Sequence, residues 1–166
     1  LKNKKTARIV MLIFSVISLL VAISLGLFSQ DFMLKALDSR IIVWQESVKL
    51  IKENFWFGTG IGNSTESLKE AFVQINYQRG ITQGYNAQNQ FLESFLETGF
   101  FGFLLLVLFM AYSFLKAFME KNKLYFVYVS IILIYMMSES LWQTQMGMVS
   151  FAFFNALFLA SFYNKE

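Results

Sequence analysis

Gln88 and Asn89 carry side-chain amides in the first turn of a predicted helix, and Glu93 follows one turn after Asn89 on the same side. Amides there can bind sugar hydroxyls, or simply satisfy the free backbone N–H groups of a helix start. Spacing alone leaves both readings open. Arg40 stands in the first turn of another predicted helix. A guanidinium beside free helix N–H groups suits a phosphate, although such an arginine also reads as a solvated one. Arg79 sits at the centre of a polar loop and by residue type alone is a solvated cation. Glu139 lies between two apolar runs, where a carboxylate is costly unless paired or wet. It either marks a turn or lines a polar cavity. The chain has no histidine and no cysteine, which removes the commonest general base, thiolate metal sites and disulfides.

The elements that position these groups are membrane helices. The sequence is 56% hydrophobic and only 15% charged, and its apolar residues come in long blocks, which selects a membrane protein over a large soluble core. Residues 9–28 hold no charge and suffice to cross the ~30 Å hydrocarbon core. A signal peptide is the rival reading, and the run is longer than the apolar region of one. Further spans are expected at 98–115, 124–139 and 141–162, the third being short for a full crossing. Lys2, Lys4, Lys5 and Arg8 precede the first span, and Lys116, Lys121 and Lys123 lie between the second and third. By the positive-inside rule both ends of the chain are then cytoplasmic and 29–97 faces outward. The expected fold class is all-α: a polytopic integral membrane protein with about four transmembrane helices plus an outward-facing loop with amphipathic helices. Acids outnumber cations in that loop, so the net charge of +3 reflects topology and not a nucleic-acid partner. The chain opens on Leu1 and not Met, which predicts a piece of something longer, with missing N-terminal helices covering its polar faces.

Within the loop, helices are expected near 40–55, 64–75 and 86–97. Asp38 or Ser39 can cap the first, whose Ile41, Trp44, Val48, Ile51 and Phe55 form one apolar stripe opposite Gln45, Lys49 and Lys52. Gly58, Gly60 and Gly62 read as a tight turn between helices and not a nucleotide loop, since no strand precedes them and no Lys-Ser/Thr pair follows. Asn63 with Glu66 resembles a capping box for a helix carrying Leu68, Phe72 and Ile75. Residues 76–84 are the polar loop around Arg79. Asn86 can cap the third helix, in which Phe91, Leu92, Phe95 and Leu96 recur at helical spacing. Gly99 and Gly102 punctuate the start of the next apolar segment.

These signals come in a recognisable order. An SR-x3-W stretch (Ser39, Arg40, Trp44) is followed by G-x-G-x-G (Gly58 to Gly62). Then comes N-Q-F-L-E-x3-E-x-G-x2-G (Asn89 to Gly102), which runs into a membrane helix, and a later S-E-S (Ser138 to Ser140). Together they resemble the C-terminal part of the bacterial O-antigen ligase and O-antigen polymerase superfamily, over about Asp38 to Phe162. The resemblance implies a multi-pass glycosyltransferase of the bacterial inner membrane that needs no metal, nucleotide or other cofactor. Its donor would be a glycan on undecaprenyl diphosphate and its acceptor a lipid or glycan hydroxyl, met among membrane lipids. The arginine at Arg40 would hold the diphosphate. The histidine that precedes Asn89 in the family is Gln88 here, and a glutamine cannot take a proton near neutral pH. Arg40 and Gln88 are thus the expected catalytic positions, with Asn89, Arg79, Glu93, Trp44 and Glu139 as substrate-binding candidates. Glu93 or Glu139 could take the proton instead. Rival functions are a non-catalytic helical scaffold of a polysaccharide assembly complex and a transporter subunit for lipid-linked sugars.

Overall fold

The computed structural model describes Val16 and residues 30–163. The expected span at 9–28 and the cations ahead of it otherwise lie outside the described residues. The chain divides into two compact units, Leu1–Ile41 and Ile42–Glu166. Among the described residues every regular element is helical. We number them α1 (Gln30–Glu53), α2 (Ser64–Gln74), α3 (Gln78–Gln83), α4 (Gln90–Met119), α5 (Lys123–Ser138) and α6 (Gln145–Tyr163), with a 3₁₀ turn at Leu141–Gln143.

Helix α1 is already helical at Gln30, well before Arg40. No glycine or proline interrupts the stretch before Arg40, and Asp38 and Ser39 are carried inside the helix. Arg40 therefore lies ten residues in, away from the free N–H groups expected beside it. The buried face of the second unit's part of α1 also differs from the expected stripe. Val43, Ser47 and Ile51 point inward, whereas Ile41 and Val48 are exposed. Gln45, Lys49 and Lys52 are exposed as their charge and polarity require.

Two further local expectations are corrected. Asn63 precedes α2 without capping it. Its amide turns back to the Thr59 carbonyl at 3.3 Å, in the glycine turn, so no capping box forms. The expected polar loop at 76–84 contains the short helix α3. Tyr77 packs edge-on to Phe72 with ring centroids 5.4 Å apart, and Gly80 lies against the Phe72 ring, so packing shapes a segment whose polarity suggests a loop.

Residues of the second unit form two apolar clusters. Val43, Ile51, Leu68, Phe72 and Leu96 join α1, α2 and the first turns of α4. Leu106, Met110, Ala117, Tyr125, Val129, Met136 and Phe151 join the remainder of α4 to α5 and α6. Glu120 to Asn122 is a tight connection, so α4 and α5 run back against each other, with Phe114 and Phe126 5.0 Å apart. Tyr125 donates to Asn155 of α6 at 2.7 Å. Among the described residues α4 is the one helix long and apolar enough to cross a membrane, with a mean hydropathy of 2.1 in its best window. Helices α5 and α6 are apolar but shorter.

Helix α4 is broken at Gly99 (φ 66°, ψ −163°). The turn that carries the spaced glycines fills the break. Thr59 and Gly60 donate backbone N–H groups to the carbonyls of Leu96 and Glu97 at 2.7 and 3.0 Å, and Phe100 N–H reaches the Phe55 carbonyl at 2.8 Å. Carbonyls that a helix break would orphan are thus satisfied. Contact is backbone to backbone: a Cβ on Gly99 would sit 2.4 Å from the Trp56 carbonyl, and one on Gly58 2.5 Å from that of Glu97.

Candidate active site

The segment just before α4 is held from several sides. Asn89, not Asn86, is the helix cap, its Oδ1 accepting from the N–H groups of Phe91 and Leu92 at 2.9 and 3.2 Å. Asn86 instead accepts the Gln88 N–H at 3.0 Å, closing a turn one step earlier. The Asn89 amide donates to the Met137 carbonyl near the end of α5 at 2.9 Å. Trp44 of α1 donates its indole N–H to the Ala87 carbonyl at 3.0 Å. Ala87 N–H donates to Glu93 Oε2 at 2.6 Å. Between these ties lies Gln88, half-buried and left-handed at φ 48°. Among the described residues its carboxamide makes no hydrogen bond, and its backbone N–H alone is engaged.

Glu93 anchors this arrangement from below. It is fully buried. Oε1 accepts from the Ser64 hydroxyl at the start of α2 and from the Gln143 amide at 3.2 Å. Besides Ala87 N–H, the Ser140 hydroxyl lies 3.5 Å from Oε2. Burial pushes the Glu93 carboxyl above the usual carboxylate range. The bonds from Ser64 and Ala87 oppose that rise, and the charge of Glu97 one turn on adds to it. Glu93 lies ahead of the Gly99 break, outside the apolar stretch of α4. Glu97 shares its donors: Oε1 accepts from Gln143 at 2.9 Å and from Gly62 N–H at 3.0 Å, with the Ser64 hydroxyl at 3.2 Å.

The expected site residues are thus partly assembled. Trp44, Gln88, Asn89 and Glu93 meet at one loop, yet three of the four are occupied in holding it. Trp44, Asn89 and Glu93 spend their polar atoms on backbone and neighbouring side chains, and Glu93 has no exposed surface. Glu139 is half-buried in extended backbone where α5 ends, next to Ser140. Arg79 is exposed on α3. Arg40 is half-buried on α1, in the first unit. Sequence reasoning missed Ser64, Glu97 and Gln143 as members of the carboxylate cluster. Glu97 alone had a signal, its four-residue offset from Glu93 on the polar side of the helix.

The arrangement offers a rigid loop with one uncommitted carboxamide and no basic nitrogen. It can orient a hydroxyl; it cannot deprotonate one through Gln88. The sequence profile of a family described as O-antigen ligase matches residues 1–107. The match contains Arg40, the glycine turn and the Gln88–Gly102 stretch, and stops short of Ser138–Ser140 and the last two helices, which the expected range of 38–162 includes. No curated protein matches the chain, and no solved structure does.

Proposed function

The chain belongs to the O-antigen ligase family, and from that premise we propose that it transfers or polymerises a glycan carried on undecaprenyl diphosphate. The single observation that carries this reading is the family match over 1–107, because it includes Arg40 and the Gln88–Asn89 pair. The reaction would run on the outer side of the bacterial inner membrane, in a multi-pass protein in which both ends of the present sequence are cytoplasmic. Neither metal nor nucleotide takes part in it.

The acceptor hydroxyl oxygen attacks the anomeric carbon from the face opposite the diphosphate. The bond from carbon to the diphosphate oxygen breaks, and the electron pair leaves with the lipid diphosphate. Arg40 holds that diphosphate and offsets its growing charge. Gln88, its N–H held by Asn86, orients the acceptor hydroxyl, and Asn89 caps the helix that follows. The hydroxyl proton passes to the departing diphosphate. General-base help is worth about 10²–10⁴-fold, so a member without the histidine is slower but not dead. The fully occupied, buried Glu93 acts on the loop and not on the proton.

Reconstituting the full-length protein with lipid-linked repeat units and a chelator tests the reading. Longer or acceptor-linked glycan together with free undecaprenyl diphosphate is expected. If neither product forms, the non-catalytic scaffold, which the Gln88 substitution favours, replaces the enzyme.

A further inference from the structure

The connection between α1 and α2, residues 54–63, carries no charge, although Lys52 and Glu53 precede it and Glu66 follows. It turns large apolar side chains outward: Phe57 and Ile61 are 80% and 82% exposed, and Trp56 57%. The turn cannot fold them away, because its backbone is spent elsewhere. Thr59 and Gly60 bond to Leu96 and Glu97, and Phe100 bonds to Phe55, so the connection is pinned at the Gly99 break. At that break α4 passes from its polar first turns into an uncharged stretch that runs to Leu115. The exposed rings continue onto α4. Phe101 has its ring centroid 6.0 Å from that of Trp56 and 6.1 Å from that of Phe57. It begins a stripe of one helix face, Phe101, Leu105, Leu108, Tyr112 and Leu115, of which every member is more than half exposed.

Residue type selects what covers this surface. Helices that pack on one another in a membrane approach closely through small side chains, as Ser113 and Ala117 do on the buried face of α4. The stripe, and the three turn side chains that continue it, are all bulky. Among the described residues the Trp56 indole N–H has no acceptor. A ring with a free N–H, at the level where a helix enters hydrocarbon, belongs at a membrane–water interface. We propose that the turn between α1 and α2 is an interfacial anchor whose partner is the lipid bilayer. Trp56 lies among the headgroups, and Phe57 and Ile61 reach ~5–10 Å into the boundary of headgroup and acyl chain, in the leaflet where α4 begins. Through its bonds to Leu96 and Glu97 the anchored turn fixes the height at which the polar start of α4 stands above the lipid. The anchor depends on α4 crossing the bilayer and not on the reaction assigned to the protein.

The test is fluorescence quenching on the full-length protein, freed of other thiols, in phosphatidylcholine nanodiscs that leave both faces open to solvent. Ile61→Cys carries an environment-sensitive fluorophore, and quenching by lipid-borne nitroxides is compared with quenching by aqueous iodide. A nitroxide near the headgroup end of the acyl chain should quench the label at least about threefold more than one near the methyl end, and more than iodide does. Thr82→Cys on exposed α3, labelled in the same way, should be quenched by iodide and not by lipid. Phe57→Cys supplies the same readings if Ile61→Cys fails to assemble. Quenching of the turn by iodide and not by lipid places it in water and overturns the proposal. Quenching by neither means that protein covers the turn, the rest of the chain or a partner, and overturns it equally. Stronger quenching from the methyl end puts the turn deep in the membrane and removes the interfacial anchor.

Discussion

Glu93 has no exposed surface, and both its oxygens accept hydrogen bonds from three different segments of the chain. Removing it leaves the buried Ala87 N–H without its acceptor, whereas Gln143 and Ser64 keep Glu97. Glu93→Ala should cost on the order of 1–3 kcal/mol for that buried group left unsatisfied, read as thermal unfolding in detergent. The carboxyl's raised pKa has a sign that can be checked. Its folded value lies above the ordinary 4.5, so protonation is favoured in the folded state. The wild type should therefore gain stability relative to Glu93→Gln as pH falls through the raised value. That gain is complete below the ordinary value and is lost as pH rises again. A difference between the two proteins that stays flat with pH would show that Glu93 is not held in this way. Of this residue-scale picture, sequence spacing made the Asn89–Glu93 alignment legible, because four-residue offsets are a local property of helices. Ser64 and Gln143 were not legible. They lie 29 and 50 residues from Glu93, and nothing in a serine or a glutamine announces a distant partner.

At the scale of elements, the spaced glycines and the Gly99 break explain each other. The turn at Gly58 donates N–H groups to carbonyls that the break exposes, and only a residue without a Cβ permits that approach. Gly58→Ala and Gly99→Ala should each remove most folded protein from membranes. Gly62→Ala is the control. Its φ is +82°, but a Cβ there meets nothing within 4 Å, so it should cost only the ~1–2 kcal/mol of left-handed strain. Equal loss in all three would deny the close contact. The cap gives a milder test: Asn89→Ala should lower stability by about 1 kcal/mol, with Asn86→Ala affecting it less. Sequence patterning located these helices and the turn, but it misphased α1 and placed its start too late. Ile41 and Val48 look like core residues by type, yet the inward positions went to Val43 and Ser47, because tertiary packing and not hydropathy chose the face. Burial of the polar Ser47 and Glu46 is what a composition-based stripe cannot anticipate.

For the molecule as a whole, the proposed topology puts α3 outside the membrane and the α4–α5 connection inside. The sequence has no cysteine, so single introduced thiols report cleanly once any in the rest of the full protein are removed. Thr82→Cys on exposed α3 should react with a membrane-impermeant maleimide in intact spheroplasts. Lys121→Cys should react only after permeabilisation, and the reverse pattern would invert the topology. That topology rests on the charge bias and the apolar blocks of the sequence. Among the described residues α4 is the helix both long and apolar enough for a crossing, α5 and α6 being apolar but shorter. The central claim is that a family member lacking the histidine still transfers lipid-linked glycan, with Arg40 on the diphosphate. Its most direct test is Arg40→Ala in the full-length protein in its own cell, at normal membrane levels, with surface glycans resolved on a gel. We expect the long-chain ladder, or its attachment, to be lost. An unchanged ladder would contradict the account and leave the chain a scaffold.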